Sequence, residues 1–246
     1  AWNRELFWSD PYYSNHWFIR GDIWNKLVDR EGSQSWWDIQ YFLLRCADIA
    51  HPNQSIAHIP LVLAHCVEQS SQASPASLQS SLQDQFPSLN PEVISTDEGL
   101  HVQWAVPAST LVSVIIPTRD HLSLLQACLQ SLKEHPSGCS FEVIVVDNGS
   151  VEDETLQFLQ DFHRHPGQFV LRDDGPFNYS SLNNKAAALA HGSVLLLLNN
   201  DVEILSPNWA LELASNALRP GIGCVGAQLH YPDSTIQHAG VVLGIG

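Results

Sequence analysis

Between Gly192 and Ile204 the chain reads GSVLLLLNNDVEI: an unbroken apolar run, Val194–Leu198, that stops at two amides and an acid. A run of that length bounded by turn-forming residues fits a strand buried in a parallel sheet. Parallel strands need long crossover connections, usually helical, so this one segment constrains its whole region to an α/β architecture. Open α/β sheets bind ligands beyond the carboxyl ends of their strands. Asp201 therefore belongs to the expected site. A hard divalent cation takes oxygen ligands there, and Mg2+ typically uses one or two carboxylates plus substrate phosphates.

The flanking sequence carries the same signal. Residues 111–246 read as strands 112–117, 141–147, 168–172, 194–199 and 222–230, separated by helical patterns over 121–134, 152–163, 180–191 and 207–218. This alternation predicts βαβ units, right-handed crossovers and helices on both faces of a mostly parallel sheet. No strand is followed by G-x-G-x-x-G or a P-loop, which disfavours a dinucleotide or P-loop NTPase site.

Two zones precede this region. Residues 1–66 are rich in aromatics and His. Residues 67–110 open with a Ser/Gln tract, carry helical spacing over Leu78–Phe86, and place Asp97-Glu98-Gly99 between Val93–Ser95 and His101–Val106 as a hairpin turn. The net charge of −15, with only 11 Lys and Arg, argues against nucleic acid as a partner. No run reaches the ~18 apolar residues of a membrane span, and the start lacks the pattern of a secretory signal. Five Cys without C-x-x-C spacing read as reduced thiols, so the expected location is cytoplasmic or peripheral at the inner face of the membrane. The absence of any Met, and an end at Gly246 just after an apolar run, lead to the expectation of a fragment of a longer protein.

Five constellations are candidates for chemistry. VSVIIPTRD ends a strand at Pro117 and leaves Thr118, Arg119 and Asp120 before a helix, where backbone N–H groups and Arg119 suit an anion or a base edge; Asp120 as a helix cap is the structural alternative. FEVIVVDNGS places Asp147 to accept from a base or ribose, with D-N-G-S equally good as a plain turn. DDGPFNYSSLNNK puts Asn178 or Ser180 at a helix cap and Asn183, Asn184 and Lys185 in its first turns, Lys185 within reach of a phosphate. NNDVE offers Asp201 to a cation. His238, in YPDSTIQHAG, is a candidate ligand or acid/base.

Taken together, VSVIIPTRD, VIVVDNGS, PFNYSSLNNKAA, LLLLNNDVEI and YPDSTIQHAGVVLG resemble inverting family 2 glycosyltransferases of GT-A fold, in particular the bacterial rhamnosyltransferase-like and polysaccharide-assembly branch. The resemblance spans residues 111–246. It implies a nucleotide-diphosphate sugar donor, UDP- or dTDP-linked, and a glycan or lipid-linked acceptor. It places Pro117, Thr118, Arg119 and Asp120 at the nucleotide, Asp147 at the base or ribose, and Asn184 and Lys185 near the donor. Asn199-Asn200-Asp201 occupies the D-x-D position, with an amide replacing the first acid, and Asp201 is the expected ligand of a divalent cation, Mg or Mn. Residues 12–65 resemble the acceptor half of such a domain, with Asp38 in WWDIQ as the candidate base. They read as the tail of a preceding glycosyltransferase domain; folding back to complete the downstream one is the alternative. The expected layout is a tail over 1–66, a connector over 67–110 and a donor-binding half over 111–246.

Overall fold

The structure is a computed structural model of the 246-residue chain. It describes residues 75–96 and 99–240, together with Ile23, Asn25 and Lys26. The chain divides into two units, Ala1–Ala105 and Val106–Gly246. Asp38 and the rest of the WWDIQ segment lie outside the described residues.

In the first unit, the end of the Ser/Gln tract folds as helix α1 (Pro75–Gln85). A one-turn 3-10 helix (Pro87–Leu89) leads into the hairpin β1 (Glu92–Thr96) and β2 (Gly99–Gln103), antiparallel as expected. Leu78 and Leu82, one helical turn apart, are buried against Trp104. Phe86 meets the Trp104 ring edge-on, centroids 5.4 Å apart. The polar tract is useful here: the Gln79 side chain donates to the Pro91 carbonyl at 2.7 Å and accepts from the Val93 N–H at 2.7 Å, joining helix to hairpin.

The second unit alternates β3 (Leu111–Thr118), α2 (Leu122–Glu134), β4 (Ser140–Asp147), α3 (Asp153–Phe162), β5 (Gln168–Arg172), α4 (Tyr179–Ala187), β6 (Val194–Leu197) and α5 (Trp209–Ala217). The four strands form one parallel sheet in the order β5-β4-β3-β6. On one face α2, α3 and α5 bury Leu125, Leu129, Leu159, Phe162 and Trp209 against Val112, Val114, Ile116, Val143 and Val145. On the other, α4 sets Leu182 and Ala186 against Ile115, Ile144 and Val146. The α/β class and the mostly parallel sheet with helices on both faces are as expected.

Two expectations need correction. First, 222–230 is not a fifth parallel strand. Only β7 (Leu229–His230) pairs as a strand, antiparallel with β8 (Ile236–His238) in a separate ribbon. The apolar letters at 222–228 are interrupted by Gly223 and Gly226, which carry no side chain to pack. The Tyr231–Thr235 turn, closed by the Tyr231 N–H to the Thr235 carbonyl at 2.8 Å, supplies a local partner instead. Second, β6 is not buried on both faces. It is the sheet edge, and α4 covers β3, β4 and β5 but not β6, so Leu195 and Leu197 stay about half exposed.

At the amino end of the sheet a buried polar lock secures the entry to β6. Glu142, 5% exposed, accepts from the Ser113 hydroxyl at 2.6 Å, from the His191 N–H at 2.7 Å and meets the His191 ring at 3.0 Å. Ser113 Oγ in turn accepts from the Gly192 N–H at 2.8 Å. A Cβ on Gly192 would stand 2.5 Å from the Leu111 carbonyl oxygen and 2.7 Å from the Ser113 nitrogen, so the backbones approach too closely for a side chain.

Candidate functional site

The strand order reverses at β3: β4 and β5 extend the sheet to one side, and the chain then returns to lay β6 on the other. A crevice outside the carboxyl ends at such a switch point is where open α/β sheets take ligands. Register sets what lines that edge. Thr118 is level with Asp147, and Asp147 with Arg172, so three chemically distinct side chains end three adjacent strands.

Pro117 is tolerated in the central strand because β6 pairs with β3 only as far as Ile115. Ile115 accepts from the Leu198 N–H, so Pro117, two residues on, turns its missing donor toward a side where the ladder has ended. Thr118 is buried. Its carbonyl accepts from the Asn148 N–H at 2.8 Å and its Oγ1 from the Asn200 side-chain amide at 3.0 Å. That second bond ties the loop after β6 directly to the loop after β3. Arg119 is exposed. Asp120 does cap a helix, but not its own: its Oδ1 accepts from the Val151 and Glu152 N–H groups at 2.8 and 3.0 Å, at the start of α3. Those bonds hold its carboxyl below the ordinary range. Asp120 and His121 both take left-handed φ, 52° and 53°, strain of the kind that concentrates at functional loops.

Asp147 is bound up within the chain. Expected from the sequence to accept from a base or ribose, it is 2% exposed and its oxygens are used within the chain. Oδ1 accepts from the Ser150 N–H at 2.8 Å and Oδ2 from the Arg172 guanidinium at 2.5 Å. What this part of the edge exposes is Arg172 itself, whose side chain is 40% accessible. Its bond to Asp147, aided by Asp174, raises its pKa further. It also donates to the Ser150 carbonyl at 2.9 Å and to Asp174 at 2.7 Å, bracing the β4 loop against the β5 loop. Asn148 adds to the brace, donating to the Asp173 and Gly175 carbonyls, each at 2.9 Å. Arg172 was not singled out in the sequence. The signal that identifies it is a cation closing one strand in register with an acid closing the next.

Asn178, not Ser180, caps α4, accepting from the Ser181 N–H at 2.9 Å. Asn184 is exposed on that helix, and Lys185 reaches back to Asp173 at 2.6 Å. This pairing, with the Gly175 N–H, keeps Asp173 below the usual carboxylate range. Lys185 is thus held at the β5 loop. His238 sits on β8 in the separate ribbon.

The Asn199–Ile204 loop leaves β6 with alternating burial: Val202 and Ile204 turn toward the core, Asp201 and Glu203 toward solvent. Glu203 is a second outward carboxylate, two residues beyond Asp201. Behind the loop lies Cys128, its thiol pushed up to about 12 by burial and by the negative charges of Asp201 and Glu203, and hence a neutral donor. Among the described residues no three His, Cys, Asp or Glu gather as a metal cluster. The donor set at this loop, carboxylate and amide oxygens only, fits a hard cation whose remaining ligands come from a diphosphate. Among the same residues no helix is long and apolar enough to cross a membrane.

The chain is similar to known proteins over this region. The family model for glycosyl transferase family 2 matches residues 113–240. An uncharacterised protein of Sinorhizobium fredii is 38% identical over the whole chain. The O-antigen biosynthesis protein RfbC of Myxococcus xanthus is 42% identical over 58% of it. The chain spans 28% and 11% of the lengths of these two relatives. Among solved structures, the mannosyltransferase PcManGT of Pyrobaculum calidifontis, in complex with GDP-Man and Mn2+, aligns with TM-score 0.39 and 20% identity over 44% of this chain and 32% of its own. The chain belongs to glycosyl transferase family 2.

Proposed function

We propose that this family 2 chain carries the donor site of an inverting glycosyltransferase that moves a sugar, hexosyl or rhamnosyl, from a nucleotide diphosphate to a glycan or lipid-linked acceptor in surface polysaccharide assembly. The observation that supports it most is the bond between Asn200 and Thr118 across the switch point, which holds the Asn199-Asn200-Asp201 loop beside the β3 loop. The RfbC relative, an O-antigen biosynthesis protein, favours the polysaccharide setting.

In this reading Pro117, Thr118, Arg119 and Asp120 frame the nucleotide, Asp120 by fixing the start of α3 and not by direct contact. Asp147 positions Arg172 and the Ser150 turn. Asn184 and Lys185 line the donor side, and Asn199 and Asn200 offer amide groups. Asp201 would hold a divalent cation, Mg2+ or Mn2+, which when bound neutralises the leaving diphosphate. In the transfer, the acceptor hydroxyl oxygen bonds to the anomeric carbon as the bond to the diphosphate breaks on the opposite side. The hydroxyl proton passes to a carboxylate base; Asp38, the candidate base of the 1–66 segment, belongs in this reading to a preceding glycosyltransferase domain.

One observation favours a second reading, a non-catalytic nucleotide-sugar-binding or scaffold module: Asn199 stands where the family places an acid, leaving the cation fewer charges. Two measurements test the pair. Calorimetric titration of UDP, dTDP and GDP, each with and without Mn2+, gives metal-dependent binding of one nucleotide that Asp201→Asn removes; a folded protein that binds none of the three refutes the donor site. Mn2+-dependent hydrolysis of the matching nucleotide sugar identifies the enzyme, and binding without hydrolysis identifies the module.

A further inference from the structure

We propose that helix α2 positions the cation loop from behind, with Cys128 and Ser131 as the residues that set where Asp201 stands; the inference rests on the cation reading given above. Strand β6 ends at Leu197, and after the bond from the Leu198 N–H to the Ile115 carbonyl no sheet ladder fixes residues 199–204. Four attachments replace it. The Cys128 thiol donates to the Asn199 carbonyl at 3.6 Å, and Asn200 is tied to Thr118. Val202 and Ile204 pack on the core. The Ile204 N–H donates to Ser131 Oγ at 2.9 Å.

The two α2 residues lie three apart, hence on one helix face. They are 0% and 4% exposed, out of reach of a nucleotide. Ser131 also donates its hydroxyl proton to the Cys128 carbonyl at 2.7 Å, which orients Oγ to accept from Ile204. One buried helix face therefore grips the first and last residues of the loop, and the alternation between them turns Asp201 and Glu203 outward on the same side. A ligand held in place before the ion arrives avoids the ordering cost a free loop would bear on binding. Supporting groups behind metal ligands commonly carry tenfold or larger effects on metal affinity.

The test is Mn2+ affinity, read by electron paramagnetic resonance of free Mn2+ in the presence of UDP, dTDP and GDP, on the intact chain. Ser131→Ala weakens Mn2+ by about tenfold and leaves metal-free nucleotide affinity unchanged. Cys128→Ala weakens it by about threefold, and Cys128→Ser, which keeps a donor, restores it. The Cys128 pair decides the matter should Ser131→Ala not fold. Leu159→Ala, a buried change on α3, serves as the stability control and leaves Mn2+ affinity intact while lowering the unfolding midpoint. If Ser131→Ala or Cys128→Ala leaves Mn2+ affinity unchanged, or moves it no more than Leu159→Ala does, α2 is packing only and the inference falls. Asp201→Asn is measured alongside: undiminished Mn2+ binding in that variant refutes the cation reading itself.

Discussion

The two ends of the parallel sheet each bury a carboxylate, and they use it for different purposes. At the amino end Glu142 is closed off by Ser113 and His191, and of these two partners only the His191 ring reaches solvent. At the carboxyl end Asp147 is buried as deeply and is also satisfied by its own chain, yet Arg172, which it holds, remains accessible, as do Arg119, Asp201 and Glu203 on the loops after β3 and β6. A buried, fully partnered acid is scaffold wherever it occurs. What separates a lock from a site is whether it holds other functional groups at an open edge.

Substitutions sharpen that contrast. The largest effect is expected at the amino end. Glu142→Ala strands the Ser113 hydroxyl and the His191 N–H and costs about 3 kcal/mol in urea denaturation, without changing nucleotide affinity. Gly192→Ala follows, at about 2 kcal/mol, because backbone must move to admit the Cβ. Asp147→Asn comes third, at about 1.5 kcal/mol, since its guanidinium partner is part-exposed; nucleotide affinity falls with it because the Arg172 brace loosens. If affinity falls while stability does not, Asp147 contacts ligand directly and the contrast breaks.

Acid adds a smaller effect. Burial pushes the Glu142 carboxyl up, but the bonds from Ser113 and His191 outweigh it and leave it below its ordinary value. A depressed folded pKa stabilises at pH above the ordinary glutamate value, and that part is lost as pH falls through the folded value. Glu142→Gln therefore flattens the acid limb of stability against pH; an unchanged limb would show that Glu142 does not carry it. The smallest expected change in stability is at Asp201→Asn, whose unfolding midpoint stays at that of the parent while its Mn2+ response disappears.

How much of this was legible in the sequence follows from range. The βα alternation, the hairpin around Asp97-Glu98-Gly99 and the stops at Thr118, Asp147 and Asp201 are local patterns, and the strands end close to where those patterns end. The misread strand at 222–230 failed because the glycines within it mattered more than its Ile222 and Val225. The partnerships were illegible for a different reason. Asp147 and Arg172 stand 25 residues apart and meet only through strand register, and Asp120 caps a helix that begins beyond the next strand. Propensity and spacing say nothing about either. Cys128 and Ser131, 71 and 73 residues from the loop atoms they hold, read as ordinary core until α2 is docked.

Amide hydrogen exchange of the intact chain, with and without UDP, dTDP, GDP and Mn2+ together, tests the central claim most directly. The account predicts added protection confined to the carboxyl edge, at residues 118–121, 147–150, 172–175 and 199–204, with the Glu142–His191 end unchanged. Protection at the amino end or at the β7–β8 ribbon, or none at the carboxyl edge, would contradict it.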